Sequence, residues 1–434
     1  MNTSISFQNS NIDWVGSIPS SWEMKKGKYL FSNKKEINSE NQCDNLLSLT
    51  LFGVLNKDME SSEGLRPLNY KTYQIFEKND MVFKLIDLEN KKTSRVGLVH
   101  EKGIMSPVYI RLIPKENSLP KYFYYQYYDL YKKYIFNYLG SGVRSSLNPT
   151  DLMEIPLVFP PLPEQTQIVS FLDTKTQKID ELVEKTEQKI KLLKEKRTSL
   201  INHCVTKGLN PDVKMKDSGV EWIGEIPRDW KLLKFWLIIS SSDLGGNYNC
   251  SSEYEGYPVM KMGNLGRGSI NLKKIEYIDN NSNVDKNHIL QNGDFLFNTR
   301  NSKELVGKVS LWKNELPISI YNSNILRICF NKNVSNDYMN YLFNSNSILD
   351  VLKMISKGTT NVSGIYFKDL SNIYICLPSK HEQTQIVEYL DEQTQNIDST
   401  IEKETQRIEL LKEYRQSLIS EVVTGKVDVR DYNG

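Results

Sequence analysis

A length of 434 residues suits about two to four domains rather than one, and 39% hydrophobic with 10% aromatic residues is enough for packed cores and argues against wholesale disorder. With 55 basic and 53 acidic side chains the net charge is only +2, so a polyanion would have to be held by local positive charge. Five scattered cysteines (Cys43, Cys204, Cys250, Cys329, Cys376) lack CxxC or zinc-ligand spacing, the polar start "MNTSISFQNSN" is unlike a secretion signal, and no apolar run reaches the ~18 residues of a membrane span; a soluble, reduced, cytoplasmic protein is expected.

In chain order, "DWVGSIPSSW" at 13–22 is followed by a middle, about 30–155, of short β-like runs ("DMVFKLI" at 80–86, "SPVYIRLI" at 106–113) and turns. A helical segment, "KYFYYQYYDLYKKYIFNYL" at 121–139, then gives way to the loop "GSGVRSSLNPTD" at 140–151 and a strand running into proline. The tyrosines of that helix are either core and rim residues of an amphipathic helix or a platform for stacking bases. Next comes a charged run between Pro163 and Gly208, with Ile179, Val183, Thr186, Ile190, Leu193, Arg197 and Leu200 at steps of four and three, a heptad seam on a helix.

The second half repeats the order: "EWIGEIPRDW" at 221–230, strands "GDFLFNTR" at 293–300 and "SNILRICF" at 323–330, a helix "DYMNYLFNSNSILDVLKMI" at 337–355, and a loop "KGTTNVSGIYFKD" at 357–369. Between Pro378 and Gly425 lies a second seam, Ile397, Ile401, Glu404, Ile408, Leu411, Arg415 and Leu418. "EQTQIV" stands at 164–169 and again at 382–387, "LLKE" at 192–195 and 410–413, and "VT" at 205–206 and 423–424. The middles align only in fragments, "NDMVFK" with "GDFLFN", "VGLV" with "VGKV" and "DLMEI" with "DLSNI". Arms kept alike beside divergent middles imply one task performed twice and two tasks performed once each.

A single-striped helix needs a partner, and the other copy is at hand. The intervening domain favours an antiparallel pair and a pseudo-twofold internal repeat; the alternative is that each arm packs on its own globular neighbour. Arms of about 40 residues would extend ~60 Å and could act as a ruler over on the order of 15 base pairs. The expected class is α+β, two globular domains separated by two long antiparallel coiled-coil helices, with boundaries 1–160, 161–208, 209–378, 379–425 and a tail 426–434.

Catalytic signatures are missing: there is no GxxxxGK[ST], HExxH or GxSxG, and His100, His203, His288 and His381 are dispersed. "NPTD" at 148–151 lacks the second proline and aromatic of the adenine-methyltransferase motif, and "DLGGN" at 243–247 is too short for a cofactor loop. No catalytic residue and no metal ligand is assigned, and the chain reads as non-enzymatic. Loop cations with polar neighbours are candidate DNA contacts: Lys84, Lys91, Lys92, Arg95, Arg144 and Ser145 in the first middle, and Arg267, Arg300, Asn301, Lys303, Lys308 and Lys357 in the second. For each, a solvated surface side chain is the alternative.

The doubled W-x-G-x-I-P-x-x-W motif, "PLPEQTQIVSFLD" and "LPSKHEQTQIVEYLD", the bodies "LLKEKRTSLI" and "LLKEYRQSLI", and the ends "VTKGL" and "VTGKV" together resemble the specificity subunit (HsdS) of type I restriction-modification systems over essentially the whole chain. The Ser-Lys-His that stands where the first arm has Pro-Leu-Pro is a local departure. The resemblance implies two target-recognition domains reading a split, asymmetric double-stranded DNA site. It also implies helices that dock two methyltransferase subunits using S-adenosylmethionine, with two restriction subunits completing the complex; no cofactor is expected in this chain and no membrane partner. On that reading, residues identical in both arms are candidate docking groups: Glu164, Gln165, Gln167, Asp173 and Asp180, with Glu382, Gln383, Gln385, Asp391 and Asp398. Helix capping or pairing between the arms is the alternative for each.

Overall fold

The computed structural model describes residues 6–51, 53–57, 70–89, 94–116, 118–140, 146–359 and 361–432. They form two compact units, one of Met1–Glu187 with Gln406–Gly434 and the other of Gln188–Thr405.

Each unit is built on an antiparallel four-stranded sheet. In the first the order is Phe31–Ser32, Ile110–Pro114, Met81–Phe83, Val96–Leu98; in the second it is Ile239–Leu244, Ile325–Phe330, Phe295–Asn298, Val309–Leu311. Of the two inner strands of each sheet, Met81–Phe83 and Phe295–Asn298 are wholly buried, as expected of apolar runs covered on both faces. Met81 pairs with Leu98 and Leu112, and Phe295 with Leu311 and Ile328. This register corrects one expectation: the counterpart of "VGL" at 96–98 is "VSL" at 309–311, not the "VGK" at 306–308. A four-letter apolar run carries too little pattern to fix its own register.

Two smaller pairs are also duplicated. Phe7–Asn9 lies against Ser17–Pro19 and Glu23–Lys26 against Pro156–Phe159, as Met215–Asp217 lies against Glu225–Pro227 and Lys231–Lys234 against Tyr374–Leu377. Elsewhere the units part. The second has a four-stranded sheet of Cys250–Ser251, Glu276–Ile278, Pro258–Met260 and Ile320–Tyr321, where the first has paired Leu47–Thr50 and Gly53–Asn56 and paired Gln74–Phe76 and Gly103–Met105.

Each expected mid-domain helix is two. Pro120–Lys132 and Ile135–Leu139 are divided at Tyr134, whose φ of 59° ends the right-handed coil, and Asn336–Phe343 is followed by Asn346–Ile355. Tyr122, Tyr125 and Tyr127 are buried, and Tyr127 meets Phe83 edge-on at 4.9 Å. That places this face of the tyrosine helix in the core rather than on a base-stacking surface.

The arms are helices Leu162–Lys207 and Lys380–Val423. They run antiparallel in both units: in the first, Asp180 reaches Arg415, with Gln167 reaching Arg430 just past the end of the second arm, and in the second, Lys189 reaches Glu404 and Arg197 reaches Asp398. The two alternatives for the arms are combined, because their ends also enter globular cores. Ile168 and Leu172 pack with Ile419, Val422 and Val423 in the first unit, and Ile201 and Val205 with Ile386 and Leu390 in the second. Each such buried side chain contributes ~1.5–3 kcal/mol.

Candidate nucleic-acid and subunit surfaces

The duplicated motifs meet one another. Trp22 donates its indole N–H to Glu164 at 2.8 Å, and Trp230 donates to Glu382 at 3.0 Å, so the last residue of each tryptophan motif holds the first of each "EQTQIV". Beside each indole passes the far end of the other arm, turning at glycine: a Cβ on Gly425 (φ +75°) would lie 2.5 Å from Pro19 and 2.9 Å from Trp22, and one on Gly208 (φ +79°) 3.4 Å from Trp230. Both left-handed turns favour glycine, and at Gly425 the close approach excludes a side chain as well.

Gln165 and Gln383 are 0% exposed. Gln165 donates to the Pro160 carbonyl and accepts from Leu119 N–H, and Gln383 donates to the Pro378 and Asn333 carbonyls and accepts from Ser335 N–H. Leu119 and Ser335 are the N-caps of the helices that follow. Buried in this way the two glutamines present nothing to a partner, which corrects their assignment as docking groups; their role is to satisfy buried backbone.

Asp173 accepts from Tyr125 and Lys121, Asp391 from Tyr341, and Asp180 and Asp398 pair with Arg415 and Arg197 of the facing arm. The arginines at tolerated seam positions thus answer the repeated aspartates. Gln167 donates to the Arg430 carbonyl, while Gln385 is exposed.

A second duplicated device escaped the sequence reading. Asp80 and Asp294 each accept from a backbone N–H three residues upstream, Glu77 and Gln291, and each faces an arginine on the neighbouring strand, Arg111 at 2.5 Å and Arg327 at 3.5 Å. Burial pushes both carboxyl pKa values up, against the opposing pull of the backbone N–H and the arginine. The repeated Asp in "NDM" and "GDF" was the available signal.

Of the candidate DNA contacts, Lys91, Lys92, Arg144 and Ser145 lie outside the described residues. Arg95 is 1% exposed and donates to the Ile86 and Asp87 carbonyls, so it braces a loop instead of facing a ligand, a correction that loop composition could not foresee. Lys84 is half-buried. In the second unit Arg300 and Asn301 form a strand of a small sheet with Ser363–Gly364 and Lys357–Gly358, which brings three candidates together. Lys357 is engaged by Asp369 at 2.7 Å, Arg267 donates to the Glu304 carbonyl, and Lys308 is half-buried, its ammonium pKa lowered first by burial and then by Arg267. Arg300 and Lys303 are exposed and make no side-chain hydrogen bond or ion pair among the described residues.

In each unit the loop after the central strand is held by the loop after the helices: Leu147 N–H donates to the Leu85 carbonyl, and Ile365 N–H to the Thr299 carbonyl. The same two loops therefore meet at the same end of the same sheet twice.

The sequence profile of the Type I restriction modification DNA specificity domain matches residues 19–192 and 246–412. The chain is 25% identical over 306 residues to the type I restriction enzyme EcoKI specificity subunit of Escherichia coli, covering 69% of this chain and 63% of that one. It is 25% identical over 350 residues to the type I restriction enzyme MjaVIII specificity subunit of Methanocaldococcus jannaschii, covering 77% and 76%. The matched stretches span from 47% to 76% of the curated relatives' own lengths. Its fold is similar to that of a chain in a solved structure concerned with complex assembly and conformational transition of the type I R-M system, with a TM-score of 0.71 at 15% identity, covering 94% of this chain and 99% of that one.

Proposed function

The chain belongs to the type I restriction-modification DNA specificity family, and from that premise we propose that it is the subunit that selects the DNA sequence on which such a system acts. Each unit binds one half of a split, asymmetric double-stranded site. The arms seat two methyltransferase subunits, which carry the S-adenosylmethionine and methylate adenine, and two restriction subunits join through them. The chain itself contributes recognition and no catalytic group.

One observation carries this reading: a single scaffold is built twice, with the same Trp–Glu contacts, buried glutamines and Asp–Arg pairs, while the loops at one end of its sheet differ. Two different binding surfaces on matched supports suit a site of two unlike halves. A symmetric site would ask for two like surfaces.

The experiment is methylome sequencing of cells carrying this chain with its neighbouring methyltransferase, compared with cells lacking the chain. A split motif with methyladenine in both halves, lost on deletion, is the expected result. A motif that persists without the chain, or the absence of any chain-dependent motif, overturns the proposal.

A further inference from the structure

The duplicated scaffold allows the two loop ends to be compared position by position. Phe83 and Phe297 hold the same place in the sheet register, so Ile86 is the counterpart of Arg300. Ile110 and Leu326 are likewise equivalent, so Val108 is the counterpart of Asn324. In the second unit Arg300 and Asn324 line a groove with Thr299, Ser323, Tyr366 and Phe367. The two aromatics are 59% and 42% exposed, and neither the guanidinium of Arg300 nor the amide of Asn324 has a partner among the described residues.

In the first unit the same two positions are apolar and open to solvent, Ile86 at 44% and Val108 at 48%. Neither exposure serves the fold, since the cores of the sheet lie on the buried neighbours Leu85, Phe83 and Ile110. A polar pair in one unit and an aliphatic pair in the other, at one address on an otherwise matched frame, is what two readers of different bases require. Hydrogen-bonding side chains recognise purine edges in the major groove, arginine on guanine and asparagine on adenine, whereas aliphatic side chains recognise the thymine methyl group.

We propose that this face reads base edges in both units, with Arg300 and Asn324 hydrogen-bonding purines of one half-site and Ile86 and Val108 packing on thymine methyls of the other; this rests on the proposed role in DNA selection. Lys303, on the adjoining turn and exposed, contacts phosphate and sets affinity without choosing sequence.

The test uses the full chain assembled with its methyltransferase. The complex selects from duplexes randomised in both half-sites, and the bound pool is sequenced. Arg300→Ala relaxes preference about tenfold or more at one or two neighbouring positions of one half and leaves the other half intact. Val108→Ala and Ile86→Ala relax positions in the opposite half only, by roughly threefold or more. Lys303→Ala weakens binding with both halves unchanged. Because these side chains are exposed, each variant keeps the wild-type melting temperature, which separates loss of reading from loss of fold. Unchanged preferences in Arg300→Ala and Val108→Ala, or a uniform loss of affinity in Arg300→Ala with the same motif, overturn the inference. A wild-type complex that selects no split site overturns the proposed function instead.

Discussion

Gln165→Leu separates a structural role for the repeated hexapeptide from a docking role. Leucine fills nearly the same space in a position that is 0% exposed, so little cavity is created and the effect comes from hydrogen bonds. The Pro160 carbonyl loses its donor at 2.9 Å and the Leu119 N–H its acceptor at 3.0 Å. Each orphaned buried group costs about 1–3 kcal/mol, so the first unit should lose ~2–6 kcal/mol. Gln383→Leu strips three backbone groups, those of Asn333, Ser335 and Pro378, and should cost the second unit more. Hydrogen exchange followed by mass spectrometry on the chain without its methyltransferase is the suitable assay, because it reports each unit separately. Gln165→Leu should deprotect the helix Pro120–Lys132 and leave Asn336–Phe343 unchanged, with the converse for Gln383→Leu. Unaltered exchange in both variants, together with weaker methyltransferase binding, would refute the reasoning and restore the glutamines as docking groups.

Two other predictions concern buried ionisable groups. Arg111→Met leaves the Asp80 carboxylate buried without its partner and should destabilise the first unit by about 3–5 kcal/mol; Arg327→Met, at a longer pair with a 13% exposed arginine, should cost the second unit less. Urea titration followed by hydrogen exchange in each sheet measures both, and equal or reversed costs would count against the argument. Burial pushes the thiols of Cys204 and Cys376 up from 9.0 to about 11, so in the native chain at pH 8 both should resist iodoacetamide. Above the ordinary thiol pKa the unfolded chain releases protons that the folded chain retains, so the second unit should lose stability as pH rises from about 9 toward 11. Rapid alkylation at pH 8, or stability flat across that range, would contradict the assignment.

The arms and the tryptophan motifs were legible because each occurs twice, and a contact made twice leaves its residues twice in the sequence. Trp22 with Glu164, Asp180 with Arg415 and Gly425 beside Trp22 are all sequence-distant, so the letters announced that they mattered without saying to whom. Repetition pointed equally to an external partner and to pairing or capping within the chain, and most of the repeated side chains are spent within it. Loop cations were less legible. Arg95 and Arg300 are alike in composition and surroundings as text, yet one is enclosed by carbonyls and the other faces solvent, a difference made by backbone paths far apart in the chain. In "NPTD", Asn148 and Asp151 form a capping box at the start of a short helix, a local role that the letters alone did not declare.

The interleaving of the arms has a consequence for biogenesis. The second unit is one continuous segment, 188–405, whereas the first joins 1–187 to 406–434 and takes Leu418, Ile419, Val422 and Val423 into its core. As the chain leaves the ribosome, the unit that begins first finishes last, and the later one can close while its elder still waits for four aliphatic residues. During that interval Ile168 and Leu172 lack their facing side chains and leave apolar surface uncovered. A chain interrupted just before Leu418 would therefore contain the whole of the second unit and still lack part of the core of the first.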